Sequence, residues 1–176
     1  DSICNKGAVQ NKKINREICK DCEDKTCISY NSRCISLSCS EYTVLELLEY
    51  ILECKAMFFD NGGVTFTGGE PTLQFESLLI ILKMLKNHNI NTAIESNGTH
   101  KDFEKLLPYL DYIILDFKSP DSKKSFDVIG CENEIIKSNI KKAIFSGKEV
   151  LIRIPLINGF NTSVTDIDKF IEFFKE

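Results

Sequence analysis

The sequence has 176 residues, 43% of them hydrophobic, and a formal net charge of −4. A chain of this length can bury a hydrophobic core of its own. The negative charge gives no reason to expect nucleic-acid binding, no apolar segment approaches the roughly 20 residues of a membrane-spanning helix, and no secretory signal pattern is present. We therefore expect a cytoplasmic globular protein that binds neither nucleic acid nor membrane.

Cysteines are concentrated at the start of the chain, where six of the eight lie within the first 39 residues. In a chain without export signals, such a cluster binds metal more often than it forms disulfides. Residues 1–41 show no helical or strand periodicity and can bury little apolar surface, so we expect bound metal to hold this segment together. The isolated Cys39, Cys54 and Cys131 are interpreted as buried thiols.

The spacing of Cys19, Cys22 and Cys27 is close to that of ferredoxin cysteines that ligate one [4Fe–4S] cluster. We expect Cys4 to be the fourth ligand of this cluster. Cys34 is interpreted as a ligand of a second cluster, whose other cysteines would precede the first residue. A zinc site formed by four of these cysteines is the alternative, because tetrahedral zinc sites use similar spacings.

After residue 41, helices and strands alternate. Thr43 predicts the start of a helix, because Glu46 completes a capping box with it. The pattern then predicts strands over residues 64–67, 90–95, 111–118 and 150–154. Helices are predicted over residues 75–86, over residues 135–144, from residue 163 onward, and in a short segment that Thr99 caps and that ends near Pro108. This alternation indicates an α/β fold with a parallel sheet covered by helices, either an arc of a TIM-like barrel or an open doubly wound sheet.

Every predicted strand ends in residues that could bind a ligand. They are Gly68, Gly69 and Glu70, then Glu95 and Asn97, then Asp116 and Lys118, and finally Arg153. In a parallel α/β array these ends share one edge, where ligands bind. Two cations and three carboxylates there suit a zwitterionic ligand with hydroxyl groups. The alternative is that they only cap the strands as solvated or paired charges. His88 and His100, beside predicted helix ends, are interpreted as solvated, so we assign no histidine base.

Residues 62–71, 93–98, 115–118 and 153–161, taken together, resemble the radical S-adenosylmethionine (SAM) enzymes that activate glycyl radical enzymes, the pyruvate formate-lyase activase group. The cysteine-rich start resembles the ferredoxin-like insert of the subgroup with two extra clusters, and residues 18–22 are most similar to the activase of 4-hydroxyphenylacetate decarboxylase. The resemblance implies an α/β fold: a partial TIM-like (β/α) barrel arc of parallel strands over residues 42–176, incomplete at both ends. A partial ferredoxin-like iron–sulfur insert over residues 1–41 would precede it.

The resemblance also implies a role for each strand-end residue. Residues 68–70 would hold the amino group of SAM, while Asp116 and Lys118 would line its ribose and carboxylate region. Arg153 would help to hold the carboxylate, and Glu95 would lie beside the reactive sulfonium. Asn97 belongs to the same set of cofactor-binding residues. The implied cofactors are SAM and a [4Fe–4S] cluster.

The implied reaction is reductive cleavage of SAM to a 5′-deoxyadenosyl radical, which takes a hydrogen from one glycine of a partner enzyme. The implied partners are that glycyl radical enzyme and a flavodoxin- or ferredoxin-type electron donor. The family's Cys-x3-Cys-x2-Cys motif is absent from the sequence. We expect those catalytic-cluster cysteines to lie before Asp1, and the chain alone to be inactive. An iron–sulfur protein for electron transfer or structure, a different radical SAM enzyme and a truncated product are the alternatives.

Overall fold

The structure, a computed structural model, describes residues 9–10, 13–20, 22 and 39–175. The chain divides into two compact units, Asp1–Tyr42 and Thr43–Glu176. In the first unit, strands β1 (Val9–Gln10) and β2 (Lys13–Ile14) form an antiparallel pair, and a short helix α1 spans Arg16–Lys20. No helix in the described part of the chain is both long enough and apolar enough to cross a membrane.

The second unit alternates helices and parallel strands, as the sequence predicts. Its helices are α2 (Val44–Glu53), α3 (Phe75–Asn87), α4 (Ser122–Ile129), α5 (Glu134–Phe145) and α6 (Val164–Lys175). Its strands are β3 (Gly63–Phe66), β4 (Asn91–Ser96), β5 (Tyr112–Asp116) and β6 (Glu149–Arg153). Single 3-10 turns span Cys54–Met57, Pro71–Gln74, Phe103–Lys105 and Leu107–Tyr109.

The four strands lie in the order β3-β4-β5-β6, and each neighbouring pair is parallel. Along β4, Thr92, Ile94 and Ser96 are buried, whereas Ala93 and Glu95 are only half-buried. The buried face packs on Leu82 and the other core side chains of the helices. Because the opposite face stays accessible, the pattern fits an arc of a barrel better than a sheet with helices on both faces.

The core lies between this one face of the sheet and the apolar faces of the helices that pack against it. Its fully buried members come from the two middle strands and the residue after β5, from α3 and α5, and from the segment before β5. They are Leu82, Leu85, Ile94, Phe103, Leu106, Leu110, Ile113, Leu115, Phe117, Ile140 and Ala143. The capping box of α2 forms as predicted, since Thr43 Oγ1 accepts from the Glu46 N–H and the Glu46 carboxylate accepts from the Thr43 N–H.

The prediction of a short helix after Thr99 is wrong. The segment instead forms two 3-10 turns, and the Thr99 N–H and hydroxyl both donate to the Asn97 side chain. Pro108 lies in the second turn and has no N–H to donate, so a regular helix cannot continue through it. The interpretation of Cys39 as a buried thiol is also wrong, because this residue is exposed, and Cys54 and Cys131 are only half-buried.

Two ion pairs join α4, which the sequence did not predict, to α6. Lys124 Nζ lies 2.5 Å from Asp166 Oδ1, and Lys169 Nζ lies 2.5 Å from Asp121 Oδ2. Asp121 also caps α4 by accepting from the Lys124 N–H at 3.0 Å. The Lys169 hydrogen bond lowers the pKa of Asp121 to about 2. This contact therefore stabilises the fold at neutral pH and is lost as the pH falls from about 4 toward 2.

Gly63 allows β3 to approach β4 closely. A Cβ added at this position would lie 2.0 Å from the Asn91 carbonyl oxygen on β4, whereas a Cβ added at Gly69 would meet no atom within 4 Å. The close approach makes Gly63 part of the pairing between β3 and β4.

We expect Gly63→Ala to lower the free energy of unfolding by roughly 1–3 kcal/mol, because the new methyl group must push the two strands apart. Gly69→Ala is the matched control and should change it by less than about 0.5 kcal/mol. Urea denaturation of both variants measures the difference. Equal stability of the two variants would show that β3 does not pack against β4 in this register.

Candidate functional site

The strand ends bring four of the predicted site residues into one charged network, formed by Glu95, Asp116, Lys118 and Arg153. Arg153 Nε donates to Asp116 Oδ1 at 2.6 Å, and Arg153 Nη1 donates to Glu95 Oε2 at 3.0 Å. Lys118 Nζ lies 3.9 Å from Asp116 Oδ2. Thr67, just after β3, donates its hydroxyl to Glu95 Oε2 at 3.4 Å. The network therefore extends across the carboxyl ends of all four strands.

The charges of this network balance, because it contains two carboxylates and two cations. The hydrogen bonds to Asp116 and then to Glu95 raise the pKa of Arg153 above its usual value. The side chains of Asp116, Glu95 and Arg153 are 20%, 30% and 48% exposed. Solvent thus screens the ion pairs in part, and a ligand can reach every one of these groups.

Glu70 connects the end of β3 to the end of β4. Its Oε1 accepts from the Thr72 N–H at 3.1 Å, from the Thr72 hydroxyl at 2.6 Å and from the Ser96 hydroxyl at 2.9 Å. Its Oε2 accepts from the Asn97 N–H at 2.8 Å. Because protein donors occupy both oxygens, the carboxylate fixes the two loops relative to each other, and the predicted contact of Glu70 with a ligand stays a prediction.

Gly68 and Gly69 leave the backbone open after β3. Gly68 has a φ of +121°, which side chains with a Cβ rarely adopt, and a Cβ added at either glycine would find no atom within 4 Å. The space beside this turn is therefore free of side chains in the part of the chain that the structure describes.

A cavity of about 230 Å³ opens beside the network. Asn97, Asp116 and Lys118 line it, so three of the predicted site residues face the same space. The other lining residues are Thr99, Ser119, Ser125, Cys131 and Ile136. Gly68 and Gly69 are not among the described lining residues. The next residue, Glu70, accepts a hydrogen bond from the N–H of Asn97, which does line the cavity.

Three asparagines that the sequence analysis missed hold the loops around this cavity. Asn133, Asn139 and Asn161 are all at most 1% exposed. Asn139 Nδ2 donates to the Gly98 and His100 carbonyls, each at 2.9 Å. The sequence does contain a signal for Asn139, because this polar residue lies among the apolar residues of α5, between Ile136 and Ile140. A buried amide needs hydrogen-bond partners, so its position indicates a structural role.

The interpretation of His100 as a solvated residue is wrong. Its ring stacks on Phe75 with the ring centroids 4.0 Å apart and the planes 2° from parallel. Its Nδ1 accepts from the Asp102 N–H at 3.2 Å. The loop after β4 folds back over α3, which half-buries the imidazole and gives it a packing role, while His88 is exposed as expected.

Residues 35–174 match the protein-family model described as the Radical SAM superfamily. The chain belongs to this superfamily. Membership implies a [4Fe–4S] cluster and SAM as cofactors, in agreement with the sequence analysis. It also agrees with the observed four-strand parallel sheet.

Curated relatives of this radical SAM chain are activating enzymes. The chain is 38% identical over 168 residues to the 4-hydroxyphenylacetate decarboxylase activating enzyme of Clostridioides difficile (strain CD196), covering 91% of this chain and 52% of that protein. It is 32% identical over 176 residues to the isethionate sulfite-lyase activating enzyme of Nitratidesulfovibrio vulgaris, covering 94% of this chain and 57% of that protein. The chain thus spans about half the length of the curated relatives it matches.

A solved structure with the same fold is a domain of pyruvate-formate lyase-activating enzyme from Bacteroides vulgatus ATCC 8482. The TM-score is 0.55 and the sequence identity is 33%, and the match covers 63% of this chain and 70% of that chain. The likeness of the sequence to activating enzymes of glycyl radical enzymes is therefore confirmed by both kinds of comparison.

The described residues fit SAM but offer no ligand set for the cluster. The network supplies cations for a carboxylate and carboxylates for hydroxyl and ammonium groups, while Ser119 and Thr99 add hydroxyls at the cavity. In the described ranges, no group of three or more His, Cys, Asp or Glu side chains is placed so that it could hold a metal ion. Cys19 is exposed and Cys22 is half-buried. The other predicted ligands, Cys4, Cys27 and Cys34, lie outside the described residues.

We expect Glu70→Gln to lower the free energy of unfolding by roughly 1–3 kcal/mol, because the new amide nitrogen cannot accept the hydrogen bonds that one carboxylate oxygen now receives. Glu132→Gln, on an exposed loop residue, is the control and should have an effect below about 0.5 kcal/mol. Thermal and urea unfolding of the two variants test this. A Glu70→Gln variant as stable as the control would mean that Glu70 does not join the loops.

Proposed function

We propose that this chain forms the SAM-binding part of an activating enzyme for a glycyl radical enzyme. The observation that carries the proposal is the charged network, which holds two cations and two carboxylates at the carboxyl edge of the sheet. Membership of the radical SAM superfamily and the activating-enzyme names of the relatives support it. An electron carrier would have no use for a charge-balanced ligand site at this edge.

Arg153 and Lys118 are the proposed ligands of the SAM carboxylate. Arg153 uses two of the five N–H donors of its guanidinium on the network carboxylates, so the others can bind a ligand. At 3.9 Å, Lys118 forms an ion pair with Asp116 that is too long for a hydrogen bond, and its ammonium donors can turn to a ligand. A carboxylate placed between the two cations would gain charge-assisted hydrogen bonds from both.

The carboxylates of the network are proposed to bind the remaining polar groups of SAM. Asp116, at the edge of the cavity, would accept from the ribose hydroxyls, and Glu95 would lie near the positive sulfonium. Asn97 would contribute its side-chain amide to the same cavity. The backbone at Gly68 and Gly69 would approach the amino group, because no side chain blocks this turn. Glu70 would act by fixing that turn beside Asn97.

In this family the [4Fe–4S] cluster supplies the electron that cleaves SAM to the 5′-deoxyadenosyl radical. The proposed role of the described residues is to hold the carboxylate, the hydroxyls and the sulfonium in one orientation. We propose Cys4, Cys19, Cys22 and Cys27 as ligands of an additional [4Fe–4S] cluster, with Cys34 serving another. These assignments depend on sequence spacing.

A glycyl radical enzyme is the proposed protein partner, and 4-hydroxyphenylacetate decarboxylase is the first candidate because its activating enzymes are 36–38% identical to this chain. A flavodoxin- or ferredoxin-type protein is the proposed electron donor, and the cytoplasm is the proposed compartment, both by the family resemblance.

We expect SAM to raise the melting temperature of the anaerobically purified protein, because a ligand that binds only the native state stabilises it. Lys118→Ala should weaken SAM binding by roughly 1.5–3 kcal/mol, the value of a hydrogen bond to a charged group. Lys123→Ala removes the same charge from an exposed position of α4 and should leave the affinity unchanged. Isothermal titration calorimetry compares the three proteins.

An unmodified protein that does not bind SAM would contradict the proposed function. Equal affinities of the Lys118→Ala and Lys123→Ala variants would instead leave SAM binding in place and contradict the assignment of Lys118.

A further inference from the structure

We propose that Asn161 is a positioning residue that fixes the spacing of Lys118 and Arg153, the two cations of the charged network. The inference rests on the proposed function, since it concerns the same SAM site. Asn161 lies in the loop between β6 and α6 and is completely buried. It therefore cannot touch a ligand itself, and any effect on binding must pass through the residues that its amide holds.

The Asn161 side chain bonds to both strand ends that carry the cations. Its Nδ2 donates to the Lys118 carbonyl at 2.8 Å and to the Pro155 carbonyl at 2.9 Å. Its Oδ1 accepts from the Ile157 N–H at 2.7 Å. One amide thus joins the backbone of Lys118, after β5, to the backbone just beyond Arg153, after β6.

The backbone on both sides of Lys118 is held as well. The Phe117 N–H donates to the Arg153 carbonyl at 2.9 Å, which continues the strand pairing. The Ser119 carbonyl accepts from Asn133 Nδ2 at 2.8 Å, and Asn133 is itself completely buried. Three consecutive residues therefore have fixed backbone positions, and the Lys118 side chain starts from a defined point beside the cavity.

This arrangement matters because the contact of Lys118 with Asp116, at 3.9 Å, is too long to orient the ammonium. Lysine has a long side chain with several rotatable bonds, so its reach toward a ligand depends on where its backbone lies. Without the Asn161 amide, the Lys118 and Pro155 carbonyls would lose their buried donor and the loop would shift to find another. The separation of the two cations would change, and with it the fit to a carboxylate.

A double-mutant cycle tests the inference by SAM affinity in isothermal titration calorimetry. We expect Asn161→Ala to weaken SAM binding about tenfold when Lys118 is present, and less than about twofold in the Lys118→Ala background. Asn161→Ser, which keeps one hydroxyl and is less disruptive, should show the same pattern with a smaller effect and replaces Asn161→Ala if that variant does not fold.

Thr92→Val is the matched control for lost stability. Thr92 is 3% exposed, donates its hydroxyl to the Tyr109 carbonyl at 2.6 Å and lies near the amino end of β4, away from the site. This variant should melt at a lower temperature than the unmodified protein while its SAM affinity stays within about twofold. A loss of affinity in Thr92→Val equal to that in Asn161→Ala would show a general effect of destabilisation and overturn the inference.

Equal losses of affinity from Asn161→Ala with and without Lys118 would also overturn it, because the two residues would then act independently. In that outcome the unmodified protein still binds SAM and the proposed function stands. If the unmodified protein does not bind SAM, the proposed function itself fails, and the positioning role fails with it.

Discussion

The parallel register of β3 to β6 is the constraint on which the site depends. Thr65, Ala93, Tyr112 and Glu149 lie side by side across the sheet, and side chains alternate between its faces along each strand. Glu95 lies two residues after Ala93, and Asp116 and Arg153 lie four residues after Tyr112 and Glu149. Because both intervals are even, the three side chains lie on the same accessible face of the sheet. A slip of one residue in β4, β5 or β6 would turn its charged side chain into the apolar core, at a large free-energy cost. The pattern that fills the core therefore also determines which charges meet.

Buried amides and one carboxylate then fix the loops that follow the strands. Glu70 ties the loop after β3 to the loop after β4, Asn139 holds the loop after β4 to α5, and Asn161 joins the loops after β5 and β6. Each of these groups satisfies backbone hydrogen-bonding groups that the ends of the strands leave unpaired. The accessible charges can therefore remain balanced, with Arg153 hydrogen-bonded and Lys118 only loosely paired, without loss of order in the backbone that carries them.

The strands, the longer helices and the charged strand ends could be predicted from the sequence because their signals are local. Apolar periodicity indicates the elements, and parallel topology brings their ends together. Helix α4 was missed because its short sequence exposes Phe126 and Val128 and so lacks a clear buried stripe. The bonds of Asn161 and the stacking of His100 on Phe75 could not be predicted, because their partners lie far away in the sequence and are chosen by the packed fold.

Hydrogen–deuterium exchange of the protein with and without SAM tests the central claim most directly, since it reports where along the sheet the ligand binds. We expect slower exchange in the presence of SAM for residues 68–70, 97–98 and 117–119, which follow β3, β4 and β5, and unchanged exchange for residues 63–64 and 91–92 at the amino ends. Equal protection of both ends of the sheet, or protection confined to the outer helices, would contradict the placement of the ligand at the carboxyl edge.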